Sequence, residues 1–440
     1  MEARFASLDR QSNSLADYHE PVSPDHIGEL LGDGPAIARG AGVSYVAASF
    51  GERTRSIGMR RLNRVVSFEP ESNRITVEAG MSLGALYDCL VPHRLHVAVQ
   101  PGHPQISVGG CVACNVHGKN PQRDGLFADV VESLQLFHPA HGVMNLSRQQ
   151  QPELFDLTCG GFGLTGIILT VTLRLVPIPG PIVQLRKVPV RNLEDACEQI
   201  NALKSQYDFL YTWNDVARFG KGMGRGFVCC GRFLPDAPAS DRPLPRFTPL
   251  DMRSAHRWRP KIFHRQVIPW AARVGFMWEM QRPIEEVSLF DALYPGMYRG
   301  HYYFNLYGSN GFFGYMVLIP DDRWRGYVGK LERVLRTHQE PVFCMSMKAF
   351  AGPQRLLNFN GTGVSMHSHI PNTRGGHRLV AAMEELSREF NVIRTIYFDS
   401  RLSAATARAL YPEYDAFKER LHRFDPKRVF VSDLSRRLDL

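Results

Sequence analysis

Residues 160–176 read GGFGLTGIILTVTLRLV. Gly161, Gly163 and Gly166 spell a literal GxGxxG, the spacing of a Rossmann dinucleotide site. That site takes a strand before the motif and a helix after it, so that the pyrophosphate meets a helix N-terminus. Here the order is reversed. Residues 152–156 have a helical pattern, and the β-branched run after Gly166 reads as a strand. The stretch predicts helix, loop, strand, and excludes the Rossmann arrangement.

Upstream lie three more loops of the same texture. Arg39-Gly40-Ala41-Gly42-Val43-Ser44-Tyr45 follows a predicted strand at 35–39. Pro101-Gly102 opens the next, which Ser107-Val108-Gly109-Gly110 continues, and His117-Gly118-Lys119-Asn120 follows. Glycines let successive backbone N–H groups turn inward as an anion-binding nest. Any one such loop is an ordinary tight turn. Four of them between 39 and 166, each leaving a strand or helix end, can wrap an extended dinucleotide. Between them the pattern predicts strands at 65–68 and 74–77, a helix at 82–90 capped by Ser82, and a strand at 131–138. Asn145 is expected to open a polar turn and helix.

Downstream, the three prolines and one glycine of 177–181 (PIPGP) can continue neither a helix nor a sheet interior. Beyond them strand-like runs at 226–233, 314–319 and 340–350 stand among aromatic-rich irregular pieces. They predict an antiparallel sheet with a helix or two, the form of a substrate cap. A strand at 392–398 precedes Asp399-Ser400-Arg401, with helices from 404 and over 414–424. The expected fold is α+β. Residues 1–180 form a cofactor domain, 181–392 an inserted cap, and 393–440 return to the first domain.

The chain has 440 residues, which suits two domains or one with a large insertion. Its net charge of +9 favours an anionic partner. The eight cysteines are spread thinly, as reduced thiols of a cytosolic protein are. Cys111 and Cys114 form a CxxC without a second pair, and read as small residues packed behind a loop; no metal site is expected. No signal-like h-region and no run of membrane-spanning length is present. The expectation is a cytoplasmic protein resting at most on the inner face of a membrane. Residues 252–278 suit such contact. They hold Arg253, Arg257, Arg259, Lys261, Arg265 and Arg273, no acidic residue, and Trp258, Trp270 and Trp278. The alternative is a surface loop whose tryptophans pack on the domain. No nucleic-acid motif accompanies the charge.

The blocks RGAGVSY, PGHPQISVGGCVACNVHGKN and GGFGLTGIILTVTL resemble the PCMH-type FAD-binding domain of the vanillyl-alcohol oxidase superfamily. Within it they resemble the flavoprotein oxidase subunits of decaprenylphosphoryl-β-D-ribose 2-epimerases, as does the ending FDSR…ARALYP…DPKRVFVSDLSRRLDL. The resemblance implies a two-part FAD domain with an inserted antiparallel cap. It implies FAD contacts from Arg39, Gly40, Ala41, Gly42, Val43, Ser44, Tyr45, Gly102, Ser107, Val108, Gly109, Gly110, His117, Gly118, Lys119, Asn120, Gly163, Ile168 and Thr395. Val43 stands where some members carry a flavin-tethering histidine, so non-covalent FAD is expected. Tyr45, His117, Lys119, Lys348 and His367 would carry catalysis and substrate contact. Departures cluster on the substrate side: Phe398 replaces a family lysine, His367 a cysteine, Ser365 an asparagine and Met316 a glutamine.

The implied activity is FAD-dependent oxidation of a secondary sugar hydroxyl, with C2 of a polyprenylphosphoryl pentofuranose as substrate. An NAD(P)H-dependent short-chain reductase would then complete an epimerisation. Two other readings stand beside it: an oxidase of a soluble sugar, polyol or aldonolactone, and a non-catalytic flavin-binding protein.

Overall fold

A computed structural model describes residues 2–220, 222–235, 244–250, 259–260 and 267–440. The fold is α+β and contains three main sheets. In the first, Glu2–Ala6, Asn13–His19, Arg55–Gly58 and Ala36–Arg39 lie side by side, the last three parallel. Gly42, at φ +76°, turns the chain out of Ala36–Arg39. A Cβ on it would stand 2.4 Å from the Arg39 guanidinium, so both backbone and space demand glycine.

The second sheet is antiparallel throughout, in the order Val65–Glu69, Arg74–Glu78, Ile167–Arg174, Val131–His138, Gly142–Ser147. Its central strand is the run that follows GGFGLTG. Ile167 and Leu169 enter one core while Ile168, Val171 and Leu173 enter another. Burial on both faces explains why it reads as a nearly continuous apolar run. Two helices start behind this sheet. Ser82 caps Leu83–Leu90 and Ser107 caps Val108–Cys114, each accepting from the amide three residues on.

The third sheet has eight antiparallel strands, running from Ile284–Ser288 through Ile182–Val190, Gly226–Phe233, Phe209–Asn214, Met345–Phe350, Gly363–Pro371 and Phe312–Pro320 to Ile393–Arg394. Helices Leu193–Leu203, Trp324–His338 and Arg374–Glu389 cover one face, more helix than the sequence suggested. Strand alternation divides the faces. Met345, Met347, Val364 and Met366 enter the helix-covered core; Ser346, Lys348, His367 and His369 point to the opposite face, toward the glycine loops.

Two expected elements differ. Asn145 lies inside strand Gly142–Ser147, paired with Gln135, because Gly142 at φ +69° has already closed the hairpin. Residues 392–398 do not run as one strand. After Ile393–Arg394 the chain turns, with the Asp399 amide donating to the Thr395 carbonyl at 3.2 Å. A buried ion pair pulls it round: Arg394 Nη2 lies 2.5 Å from Asp399 Oδ2 and 2.8 Å from Glu384 Oε1. Of the basic segment 252–278, only 259–260 and 267–278 fall within the described residues. Val267–Met280 is a helix that leaves Trp270, Val274, Met277 and Trp278 exposed on one side.

Removing one partner of a buried pair strands the other charge. Arg394→Met should therefore cost about 3–5 kcal/mol, read as a lower urea midpoint at unchanged slope. The double change Arg394→Met with Asp399→Leu should recover part of that loss. A single variant as stable as wild type would refute the role given to this pair.

Candidate active site

The open face of the eight-stranded sheet and the glycine loops enclose a cavity of about 860 Å³. Loop residues Gly40 to Tyr45, Gly102, Ser107, Gly109, Gly110, Gly163 and Ile168 line one side. The loops are mutually fitted: a Cβ on Gly40 would stand 2.2 Å from Ser107 Oγ, the cap of the next helix. Tyr45, His117, Lys119, Lys348 and His367 all line the same space.

Five expected cofactor contacts stand behind the wall. Arg39 stacks its guanidinium on Phe5 at 3.9 Å and donates to Ser49 Oγ, bracing the first loop from outside. Val108 is in the core, and Asn120 Nδ2 donates to the Tyr207 carbonyl at 2.8 Å. Gly118 accepts from Lys348, and Thr395 Oγ1 donates to the Met316 carbonyl. Of the CxxC, Cys111 is buried in the core and Cys114 lines the cavity. Both thiols belong to helix Val108–Cys114, and burial pushes the Cys114 thiol up to about 12.

The charged groups of the lining are Lys119, Lys348 and Lys187 with the carboxylates Glu279, Glu285 and Asp291. Lys348 Nζ donates to the Gly118 carbonyl at 2.8 Å, and Lys119 Nζ lies 5.1 Å from the Tyr211 ring centroid. Among the described residues neither lysine has a carboxylate within ion-pair distance. Burial lowers the Lys119 ammonium to about 8 and takes Lys348 well below its ordinary value, helped by Lys119. Burial also holds His117 well below the usual imidazole range, with Lys348, His367 and Lys119 adding to it; His367 falls to about 3. Both imidazoles are therefore neutral at pH 7. His117 Nδ1 is 3.0 Å from Tyr397 Oη. Buried lysines suit an anionic ligand, and neutral imidazoles can accept a proton or a hydrogen bond.

Phe398 occupies the space beside Tyr45, ring centroids 4.1 Å apart, and Met316, Leu318, Phe350 and Phe359 complete an apolar cluster with it. The sequence reading missed His369, whose Nε2 lies 3.2 Å from Tyr45 Oη. The two-residue strand period was the available signal, since His367 and His369 must share a face. Tyr303 and Trp213 also line the cavity, from segments without a motif. Also in the lining, Lys187 Nζ lies 2.5 Å from Glu279 and 2.8 Å from Glu285.

Residues 33–146 match a family profile described as FAD binding domain. The chain is 27% identical to decaprenylphosphoryl-beta-D-ribose oxidase of Mycolicibacterium smegmatis over 423 residues, 92% of this chain and 89% of that one. It is 28% identical to the mitochondrial L-galactono-1,4-lactone dehydrogenase of Arabidopsis thaliana over 170 residues, 38% of this chain and 26% of that one. Against L-gulonolactone oxidase of Mus musculus the identity is 28% over 168 residues, 36% and 37% of the two chains. FAD is the cofactor these similarities support, and the cavity fits it: the loops that line it from 40 to 45 and 102 to 110 bring bare backbone to its surface.

Protonated Lys119 is present below its depressed value of about 8 and is lost above it. Affinity for inorganic phosphate, titrated by flavin fluorescence, should fall by about tenfold per pH unit above that point. Lys119→Gln should bind phosphate weakly without this dependence. A flat wild-type profile between pH 7 and 10 would show that Lys119 does not hold the anion.

Proposed function

We propose that this FAD-dependent oxidoreductase oxidises a secondary hydroxyl of a phosphate-bearing sugar to a ketone, specifically C2 of a polyprenylphosphoryl pentofuranose. The observation that carries this reading is the buried pair Lys119 and Lys348, which line the cavity without a carboxylate in ion-pair distance among the described residues. A buried amine gives up its proton unless an anion holds it charged, and a sugar phosphate offers one. The similarity to an oxidase of a decaprenylphosphoryl ribose, over nearly the whole chain, supports it. FAD, when bound, supplies the two-electron acceptor for the carbon's hydride. The loops from 40 to 45 and 102 to 110 hold it, and Val43 offers no nitrogen for a covalent tether. Tyr45, His117 and His367 bracket the reacting hydroxyl. The keto product passes to a separate NAD(P)H-dependent short-chain reductase, which completes an epimerisation.

A lipid-linked substrate must be met at a membrane. Helix Val267–Met280 presents Trp270, Val274, Met277 and Trp278 outward, with Arg273 exposed among them and the Arg282 guanidinium over the Trp278 ring at 5.5 Å. Aromatic and basic groups on one side suit an anionic lipid interface. No helix among the described residues is long and apolar enough to cross a membrane.

A second reading, oxidation of a soluble sugar, polyol or aldonolactone, draws on two features. The cavity lining carries Glu279 and Glu285 against Lys187, and the reacting end carries apolar Phe398 and Met316.

A short-chain prenylphosphoryl pentofuranose should bleach the flavin anaerobically, while L-gulono-1,4-lactone should not. Bleaching by the lactone alone would replace the first reading with the second. After acid precipitation the flavin should remain in the supernatant; flavin pelleting with the protein would disprove non-covalent binding. Trp270→Glu should reduce co-sedimentation with phosphatidylglycerol vesicles at least about fivefold without changing turnover of the short-chain substrate.

A further inference from the structure

A chain esterified to the substrate's phosphate must leave the cavity somewhere. Among the described residues of the lining, only Trp278 and Gly296 are exposed, so the opening lies beside these two. Trp278 also belongs to the outward apolar face that Trp270, Val274 and Met277 form on helix Val267–Met280. The opening and the helix proposed to meet the bilayer therefore share an edge. Lys187 pins that edge. Its side chain is 4% exposed, and its amine bridges Glu279 at the helix end to Glu285 of strand Ile284–Ser288.

Inward from the helix, the sheet offers apolar rings first and amines second. Trp213 and Phe227 are register partners on neighbouring strands, and their rings stack at 5.7 Å with 16° between planes. The Trp213 ring also stacks on Phe276 of the helix, at 6.4 Å and 18°, and meets the Phe343 ring edge-on at 6.1 Å. Trp213, Phe227 and Phe343 all line the cavity. Two residues along the same strand, about 7 Å away, Tyr211 faces the same side. Lys119 Nζ stands 5.1 Å from its ring centroid, and Lys348 bonds the Gly118 carbonyl next to Lys119. The order is opening, aromatic slot, lysines. An anionic head on an apolar chain matches it, with the phosphate at the amines and the first chain carbons on the rings.

We infer that Trp213, Phe227 and Phe343 form a subsite for the first carbons of an apolar chain esterified to the substrate's phosphate. The chain then leaves past Trp278 into the bilayer. The subsite rests on the phosphate-bearing substrate proposed above, and adds where its chain lies and which side chains select for it. A free sugar phosphate leaves the rings uncovered and binds less tightly.

Binding needs no oxidation, so the test uses the FAD-loaded protein and two charge-matched monoesters, methyl phosphate and geranyl phosphate, titrated by calorimetry. Each CH2 group removed from water tightens binding about fourfold, so geranyl phosphate should bind at least about thirtyfold tighter than methyl phosphate. Trp213→Ala should reduce this ratio about tenfold, and the milder Phe227→Leu about threefold. The ratio cancels any general loss of folded protein. A wild-type ratio below about threefold overturns the subsite, as does a ratio unmoved in both variants, or no binding of either ester. If the prenylphosphoryl pentofuranose fails to bleach the flavin while the geranyl ratio holds, the oxidation reading fails and the subsite stands. Bleaching with a ratio near one does the reverse.

Discussion

Two lysine amines, Lys119 and Lys348, are buried in the cavity without a carboxylate in ion-pair distance among the described residues, and the arrangement of the site follows from that. Lys119 comes from the loop after helix Val108–Cys114 and Lys348 from strand Met345–Phe350, and the Lys348 amine bonds the Gly118 carbonyl beside Lys119. Desolvating a cation costs several kcal/mol unless something compensates. Among the described residues a carbonyl faces Lys348 and an aromatic ring faces Lys119. Burial accordingly lowers the proton affinity of both amines.

The same walls explain why the departures from the resembling family fall together. Phe398, Met316, Leu318, Phe350 and Phe359 form one contiguous apolar patch, so a polar group at any single position would lack a partner. Beside this patch the next strand brings polar groups, with His367 paired to Met316 and His369 to Gly314. The turn that delivers Phe398 is held by Arg394, Asp399 and Glu384, so the apolar wall of the cavity depends on that salt bridge.

What could be read from the sequence was what local conformation dictates. Glycine loops announce themselves because several of their glycines, Gly42, Gly163 and Gly166, take positive φ, which favours glycine, and Ser82 sits at its helix start because capping is local. The strand after Gly166 was legible because its β-branched run has no other use. The features that escaped depend on distant partners. Residues 395–398 read as strand, but Arg394 and Asp399 bend them through a glutamate on another helix. Arg39, Asn120 and Thr395 lie close in sequence to cavity residues, yet their side chains turn outward to brace the wall. His369 escaped for a different reason: its strand period was visible, but its partners Tyr45 and Tyr303 come from segments that no pattern connects to it.

One joint ties the two ends of the chain. The Ala36 amide donates to the Val429 carbonyl at 2.8 Å and the Val431 amide to the Ala36 carbonyl at 2.9 Å. The strand that feeds the first glycine loop is therefore completed only by residues nearly four hundred positions later. During synthesis the N-terminal half leaves the ribosome with this edge open and its apolar walls uncovered. Contacts of such sequence separation form late and slowly, and their precursors are prone to aggregate. The edge of the first glycine loop's strand is thus closed by a contact of high sequence separation, the kind that forms after local structure.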